Sequence, residues 1–400
     1  MGVGYLVPGL APLGRGHNET ATAQAGEVIG DVGTSEVELS GKNSGIAGPF
    51  EQAHQDAGTV RIRHGPAEAI HDVEPGGNGQ HPLTIQRMLT IPLNTVNAAP
   101  PPRCSSVRSM RGVIVVGSAN VDQVFSVERI PQPGETVMST GLAVVRGGKG
   151  QNQAVAAARA GAATTFIAAR GTDSFGDLTE AGLREDGIDV SHLRTVDGPT
   201  GTALIAVDRS GENSIIVESG ANAHLVDLSD DDKTAIADSS VLLLQLEIPL
   251  DTVITATVAA SSSTISILNA APIRDLPDEL LNNLDILVIN EHEAAHLLAA
   301  RPGSITDLVP TVVQTLGAAG AVLYRRGEPD VSVPAPVVEA VDATGAGDTF
   351  CGAFAAALAE GQDAVSALRF AVTAGSLSVQ AHGAVPSIPL RAAIDAALGS

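Results

Sequence analysis

The sequence predicts an α/β protein: a mostly parallel central sheet with helices on both faces, and a small β-sheet standing off it as a lid. Three observations carry this prediction. From Met110 onward, short continuous apolar runs alternate with alanine-rich segments of helical period, the pattern of strands buried on both faces beneath crossover helices. Polar residues recur at the C-terminal ends of those runs. Two further stretches alternate apolar with polar residues, as half-exposed antiparallel strands do.

Taken in order, GVIVVGS (112–118) reads as the first buried strand, and ETVMSTGLAVVRGG (135–148) as a strand pair of the lid. NQAVAAARAGA (152–162) reads as a helix. TALIAVDRSGENSIIVES (202–219) reads as a hairpin turning at Ser210, Gly211 and Glu212, so the lid strands come from about 124–146 and 200–219. SVLLLQLE (240–247), TISILNA (264–270) and LDILVIN (284–290) read as further buried strands, and AGDTFCGAFAAALAEG (346–361) as the second clear helix. No internal repeat is visible. Residues 1–109 differ: they are rich in Gly, Pro, Asn and His, lack a sustained apolar period and end in AAPPPR (98–103). Such a segment is expected to be disordered. Because Met110 directly precedes the first convincing strand, the natural product is expected to start there, with the upstream stretch a mis-called extension and 110–400 a single domain.

Composition narrows the function. Aromatic residues make up 2% of a chain that is 44% hydrophobic with mean hydropathy +0.18, so the core is built from Ala, Val, Leu and Ile. The formal net charge of −22 repels phosphate backbones and anionic lipid. A small ligand is therefore expected, with no nucleic-acid or membrane partner. Cys104 and Cys351 are the only cysteines, which implies no disulfide framework and suits a reducing cytoplasm. No apolar run reaches the roughly 18 residues that span a bilayer, and the N-terminus lacks a secretory pattern.

The chemistry concentrates where open α/β sheets bind ligands, at the C-terminal ends of the strands. Asn120 and Asp122 follow the first strand, Gln245 and Glu247 end another, and Asn269 and Asn290 end two more. Several strands ending alike point to one pocket. In DATGAGDTF (342–350), Gly345, Ala346 and Gly347 open a helix; glycines admit a ligand to the backbone, and the helix end offers free N–H groups and a positive dipole to an anion. This is a phosphate cradle. Asp348 in the first turn does not favour phosphate by charge, but it can accept the proton of a hydroxyl attacking that phosphate. Taken alone, the stretch is equally served by Asp348 capping the helix.

RGGKGQNQA (146–154) is a second glycine-rich turn into a helix. Gly147 and Gly148 permit close approach, and Lys149 and Asn152 share a helix face. That face either grips a polyol or is a solvated Lys beside a capping Asn. Neither loop matches the P-loop pattern GxxxxGK[ST] or the dinucleotide pattern GxGxxG. In NEHE (290–293), Glu291 and Glu293 suit the start of a helix, while one Glu beside phosphates suffices for Mg²⁺. His292 and His296 have no third ligand of suitable spacing and read as surface histidines.

These motifs resemble the ribokinase/PfkB family of carbohydrate kinases. GSANVD, PGET, GGKGQNQAVAAARAGA, GANAHL, QLEIPL, PDELL, NEHEAAHL and DATGAGDTFCGAF occur in the family's order from Met110 to the C-terminus. The resemblance implies a ribokinase-like three-layer sandwich with a β-lid, and ATP-dependent phosphorylation of D-ribose at its primary 5-hydroxyl. It implies that Asp348 is the catalytic base and that Gly345, Ala346 and Gly347 form an anion hole. Asn120, Asp122, Gly148, Lys149, Asn152 and Glu247 would hold the ribose hydroxyls. Asn290 and Glu293 would order Mg²⁺ and phosphates, and Thr315, Leu316, Gly317, Ala318, Ala319 and Gly320 would bind ATP. Asp342, Thr344, Gly383 and Ser387 would lie at a site for activating K⁺. The lid would pair two subunits into a homodimer, in the cytoplasm.

The chain also departs from the family's pattern. Asn290 and Thr315 are 25 positions apart, which predicts a truncated helix between them, and the QTL before Gly317 predicts a lost strand and a disturbed sheet edge. Val372 stands where a polar residue is expected near the adenine. Related alternatives are a kinase of deoxyribose, a ketose or a nucleoside, and a sugar- or nucleotide-binding regulator weakened in catalysis.

Overall fold

The computed structural model describes residues 112–399, and the expectations for residues 1–109 lie outside them. In chain order the elements begin with β1 (Val113–Val116), β2 (Asn120–Ser126), β3 (Gly141–Gly147), α1 (Lys149–Arg159), β4 (Thr164–Arg170), α2 (Ser174–Glu185), β5 (Leu193–Thr195), β6 (Gly201–Val207) and β7 (Asn213–Glu218). They continue with α3 (Asp230–Asp238), β8 (Val241–Leu244), α4 (Leu250–Ala259), β9 (Ile265–Asn269), α5 (Asp278–Leu281), β10 (Ile286–Asn290) and α6 (Glu291–Ala300). The last are β11 (Thr311–Thr315), β12 (Ala321–Arg325), β13 (Val331–Val333), α7 (Ala346–Ala359), α8 (Ala364–Ser378), α9 (Ala384–Ser387) and α10 (Arg391–Leu398).

The main sheet runs in the order β13-β12-β11-β10-β9-β8-β1-β4-β5. Every neighbouring pair from β5 across to β11 is parallel, and β12 and β13 close one edge antiparallel. Alternation along each strand feeds two cores. Val113 and Val115 pack with α1, α7 and α8, whereas Ile114 and Val116 pack with α3, α4 and α6. The first layer is dominated by alanine, and small side chains let helices approach closely: a Cβ on Gly352 of α7 would stand 2.4 Å from the carbonyl oxygen of Gln153 on α1. That approach positions the site.

The second sheet, β3-β2-β6-β7, is the lid. Its hairpin turns where the sequence places it, with Asp208 Oδ1 accepting from the backbone N–H groups of Ser210 and Glu212 at 2.8 and 3.1 Å. The strand-pair reading of 135–148 is corrected. Only Gly141–Gly147 is a strand, and its antiparallel partner is β2, Asn120–Ser126. The segment before it is held by turns and by the exposed Arg129–Glu135 ion pair instead. Asn120 and Asp122 therefore do not trail β1; they belong to the lid strand and share one of its faces, because alternate residues of a strand do.

The expected loss of a strand near QTL is also corrected. Thr311–Thr315 pairs in parallel with β10 from Ile286↔Thr311 to Asn290↔Thr315, and β12 pairs with it in turn. Val312 and Val313 are the buried residues that sustain it, and Gln314 accepts from the Tyr324 hydroxyl at 3.2 Å. The shortness lies in the crossover, where ten-residue α6 and a 3-10 turn at Ile305–Asp307 connect the two strands.

Candidate active site

The N-terminus of α7 faces the C-terminal ends of the strands. Its cap, Gly345, has a left-handed backbone with φ 75°, and a Cβ there would stand 2.8 Å from the Cβ of Ala384, so the turn requires glycine. Gly347 differs. A Cβ on it would meet nothing within 4 Å, so the fold itself does not exclude a side chain there. Gly347 lines two cavities at once: one of about 460 Å³ towards α8 and one of about 150 Å³ towards α1.

Asp348 sits in the first turn of α7, 7% exposed and lining the smaller cavity. Its Oδ2 accepts from Asn152 Nδ2 at 3.0 Å and its Oδ1 from Gln153 Nε2 at 2.9 Å. These are consecutive residues of α1, brought within reach by the close packing at Gly352. The expected alternative, Asp348 as a helix cap, is not what the geometry shows: Gly345 is the cap, and the Asp348 carboxylate takes side-chain donors from another helix.

The start of α1 is equally constrained. The helix begins at Lys149, earlier than 152, behind a Gly148 cap at φ 86°. A Cβ on Gly148 would stand 2.8 Å from the backbone nitrogen of Asn120, so the GGK turn is pressed against the lid strand. Lys149 and Asn152 lie on this helix, and the Lys149 side chain lines the smaller cavity. Asp348 above all, then Glu247 and Glu293, hold the Lys149 ammonium charged against its burial.

On the lid side, Asn120 is buried and its Oδ1 accepts from Asn222 Nδ2 at 2.7 Å. The Asp122 carboxyl is pushed up to about 6 by burial and by the neighbouring Glu247 and Asp348 charges. Oδ1 of Asp122 and Oδ1 of Asn152 are buried without a partner. Unpaired acceptors of this kind suit the O–H groups of a polyol. Glu247 is partly committed already, its Oε2 accepting from Ser118 Oγ at 2.5 Å and from the Lys149 backbone N–H at 2.9 Å.

Asn290 and Glu293 cap α6 reciprocally: Glu293 N–H donates to Asn290 Oδ1 at 2.9 Å and Asn290 N–H to Glu293 Oε2 at 2.8 Å. Both also line the smaller cavity, and burial raises the Glu293 carboxyl. The cap engages one Glu293 oxygen, Oε2, and Glu293 shares the cavity with Asp348 and Thr315. That fits a Mg²⁺ ion, which keeps most of its waters and takes one or two protein oxygens. Among the described residues no cluster of three acidic, His or Cys groups offers a closed metal site. His292 and His296 are exposed, the latter 3.0 Å from Asp275.

Thr315, Gly317, Ala318 and Gly320 line the larger cavity; Leu316 and Ala319 do not, but the Leu316 N–H donates to the Gly320 carbonyl and closes the turn at 2.8 Å. Gly320, at φ 100°, leaves no room for a Cβ, which would stand 2.0 Å from the Val333 carbonyl oxygen. The opposite wall is apolar: Pro336, Val337 and Val338 from one loop, Phe350 from α7, Val372 from α8 and Val379 just past its end. Asp342 gathers a separate junction, its carboxylate accepting from the Thr344 N–H and Oγ1 at 2.9 and 2.6 Å and from the Gly383 N–H at 2.8 Å. Burial alone would raise that carboxyl, but these hydrogen bonds outweigh it and hold it low. Ser387 turns away, its hydroxyl donating to the Ala384 carbonyl within its own turn at 2.9 Å.

Sequence reasoning missed Gln153, Asn222, Cys351 and the apolar wall. Asn222 holds Ala119 and Asn120 in place, and the buried Cys351 thiol, raised by burial and by Asp348, lines the smaller cavity.

Comparison with known proteins bears on the family and the fold. The model of the pfkB family of carbohydrate kinases matches residues 110–391. A ribokinase of Haemophilus influenzae is 42% identical over 291 residues, covering 69% of this chain and 95% of that protein. A ribokinase of Bacillus subtilis is 40% identical over 286 residues, 70% of this chain and 97% of its own. The solved structure of Arabidopsis thaliana ribokinase complexed with ribose and ATP superposes with a TM-score of 0.68 at 35% identity, over 72% of this chain and 99% of that one.

Proposed function

The chain belongs to the pfkB family of carbohydrate kinases, and from that premise we propose that it transfers the γ-phosphoryl group of ATP to the primary 5-hydroxyl of D-ribose, giving ribose 5-phosphate and ADP. The observation that carries this reading is the position of Asp348 and Gly347. Gly347 borders both cavities, and the Asp348 carboxylate lies on the side where lid and α1 leave acceptors open.

In this reading ATP occupies the larger cavity with its base against Val372, Val379 and the 336–338 loop, and its phosphates reach the mouth of α7. Gly345, Ala346 and Gly347 present backbone N–H groups to the charge that develops on the transferring group. Ribose lies between the lid and α1, held by Asn120, Asp122, Gly148, Lys149, Asn152 and Glu247. Asp348 takes the proton of the 5-hydroxyl as it attacks in line, and positioning rather than covalent chemistry supplies the rate. Closure of the β2-β3-β6-β7 sheet keeps water from the phosphate. Mg²⁺ would be held through Glu293 near Asn290 and would neutralise charge on the phosphate oxygens. K⁺ is assigned to the junction of Asp342, Thr344 and Gly383, with Ser387 in the adjoining turn. Apolar side chains exposed on the lid, Leu142, Val144, Leu204 and Ile216 among them, support pairing of two copies through it. A cytoplasmic setting suits a free, buried Cys351.

The test is a coupled ADP-release assay over a panel of pentoses, hexoses and nucleosides, with and without K⁺. Ribose is expected to give the highest kcat/KM, and Asp348→Ala to lower turnover by about 10² to 10⁴ while both ligands still bind. Ribose binding without ADP production would refute the reading, as would an Asp348→Ala protein that keeps most of its turnover.

A further inference from the structure

We propose that Gln153 is the positioning residue for Asp348, and that Gln245 acts behind it by fixing the orientation of the Gln153 amide. The proposal rests on the reading of Asp348 as the base. Gln153 and Gln245 are both 0% exposed, on α1 and at the end of β8. Burying amides costs free energy unless their hydrogen bonds are met. Here they are met in one direction only. An ionised carboxylate accepts and does not donate, so the Gln153 nitrogen must face Asp348 Oδ1, at 2.9 Å. The same nitrogen also lies 3.1 Å from Asn269 Oδ1.

With its nitrogen so committed, Gln153 turns its oxygen to Gln245, whose Nε2 donates to it at 2.6 Å. Gln245 must then point its own oxygen onward, and that atom is buried with no partner, against Gly117, where a Cβ would stand 2.0 Å from it. The chain of amides therefore has one polarity, set at the carboxylate, and its far end bears an unmet acceptor. An arrangement serving packing alone would be replaced without loss by leucine or methionine; this one delivers an N–H to one chosen oxygen of Asp348, while Asn152 donates to the other.

The test is steady-state kinetics with ribose and ATP on Gln153→Met, Gln153→Glu, Gln245→Met and the Gln153→Met/Gln245→Met double variant, beside Asp348→Ala, with thermal unfolding as the control for folding. Gln153→Met is expected to lower kcat about 10- to 100-fold, the loss of one hydrogen bond to a charged group, with both KM values within about threefold. Gln153→Glu keeps the shape but sets a second carboxylate against Asp348, and is expected to fall further. Gln245→Met is expected to lower kcat about 3- to 10-fold, and the double variant to be no worse than Gln153→Met, because one residue acts only through the other. Wild-type kcat in Gln153→Met, or losses that multiply in the double variant, would overturn the proposal while an inactive Asp348→Ala leaves the base intact. A fully active Asp348→Ala would remove both. If Gln153→Met does not fold, Gln245→Met decides: unchanged kcat there also overturns it.

Discussion

Arg146, at the root of lid strand β3, is ion-paired with Asp186 just past the end of α2 at 2.8 Å, and Arg159 of α1 holds the other oxygen of the same carboxylate, also at 2.8 Å. Arg159 further donates to the carbonyls of Val385 and Ile388 at 2.8 and 3.1 Å. The Arg146 guanidinium lies flat over Gly182, where a Cβ would stand 2.4 Å from its Cζ. One carboxylate thus joins the lid root to α1, the helix that follows the GGK turn, and through Arg159 to the turn that follows Gly383.

Asp186→Ala leaves two guanidinium groups facing each other in a mostly buried place. The expected loss of stability is about 3 kcal/mol, at the low end for a broken buried pair because the three side chains keep some contact with water. Arg146 immediately precedes Gly147, so the KM for ribose should rise more than the KM for ATP. Thermal unfolding and two-substrate kinetics check both statements.

Asp122 predicts a pH dependence of sugar binding. Its carboxyl, pushed up to about 6 by burial and by Glu247 and Asp348, binds a proton more tightly in the folded chain than in the unfolded one. Its contribution to stability is therefore fully present below the ordinary Asp range and is lost as pH rises through about 6. Ribose acts in the opposite sense. With ribose placed as proposed, its hydroxyls would donate to the ionised form, so binding should expel the proton and weaken as pH falls below about 6, by up to about tenfold per pH unit. Isothermal titration between about pH 5 and 8 should show this slope, and Asp122→Asn should flatten it.

Gly345 and Gly347, two positions apart, should respond differently to alanine. Gly345→Ala forces a left-handed conformation and a clash with Ala384, and is expected to cost about 1 to 3 kcal/mol in stability. Gly347→Ala has open space for its methyl group, so the melting temperature should barely move. Its methyl would nonetheless stand in both cavities, and nucleotide affinity should fall. Thermal unfolding with and without ATP separates the two effects.

What the sequence reveals follows from how local each feature is. β1, β8, β9 and β10 are legible because parallel strands covered on both faces are continuous apolar runs, and the cradle is legible because Gly345, Ala346, Gly347 and Asp348 are neighbours in the chain. β2 is not, because one of its faces carries Asn120 and Asp122, polar residues that break the apolar pattern and are covered only once the GGK turn and Asn222 close against them. The apolar wall of the larger cavity is assembled from a loop and two helices, and nothing distinguishes Val372 or Val379 from core residues until the fold sets them around an empty space. Gln153 is a polar residue in an alanine-rich helix until Gly352 brings α7 against it.

The amides behind Asp348 bear on the fate of the transferred hydrogen. Carboxamides neither gain nor lose a proton near neutrality, so Gln153, Gln245 and Asn269 form an insulating backstop rather than a wire into the interior. With Asp348 as the proposed base, these three amides give a collected proton no path inward, and it would leave from the cavity side that Asp348 lines.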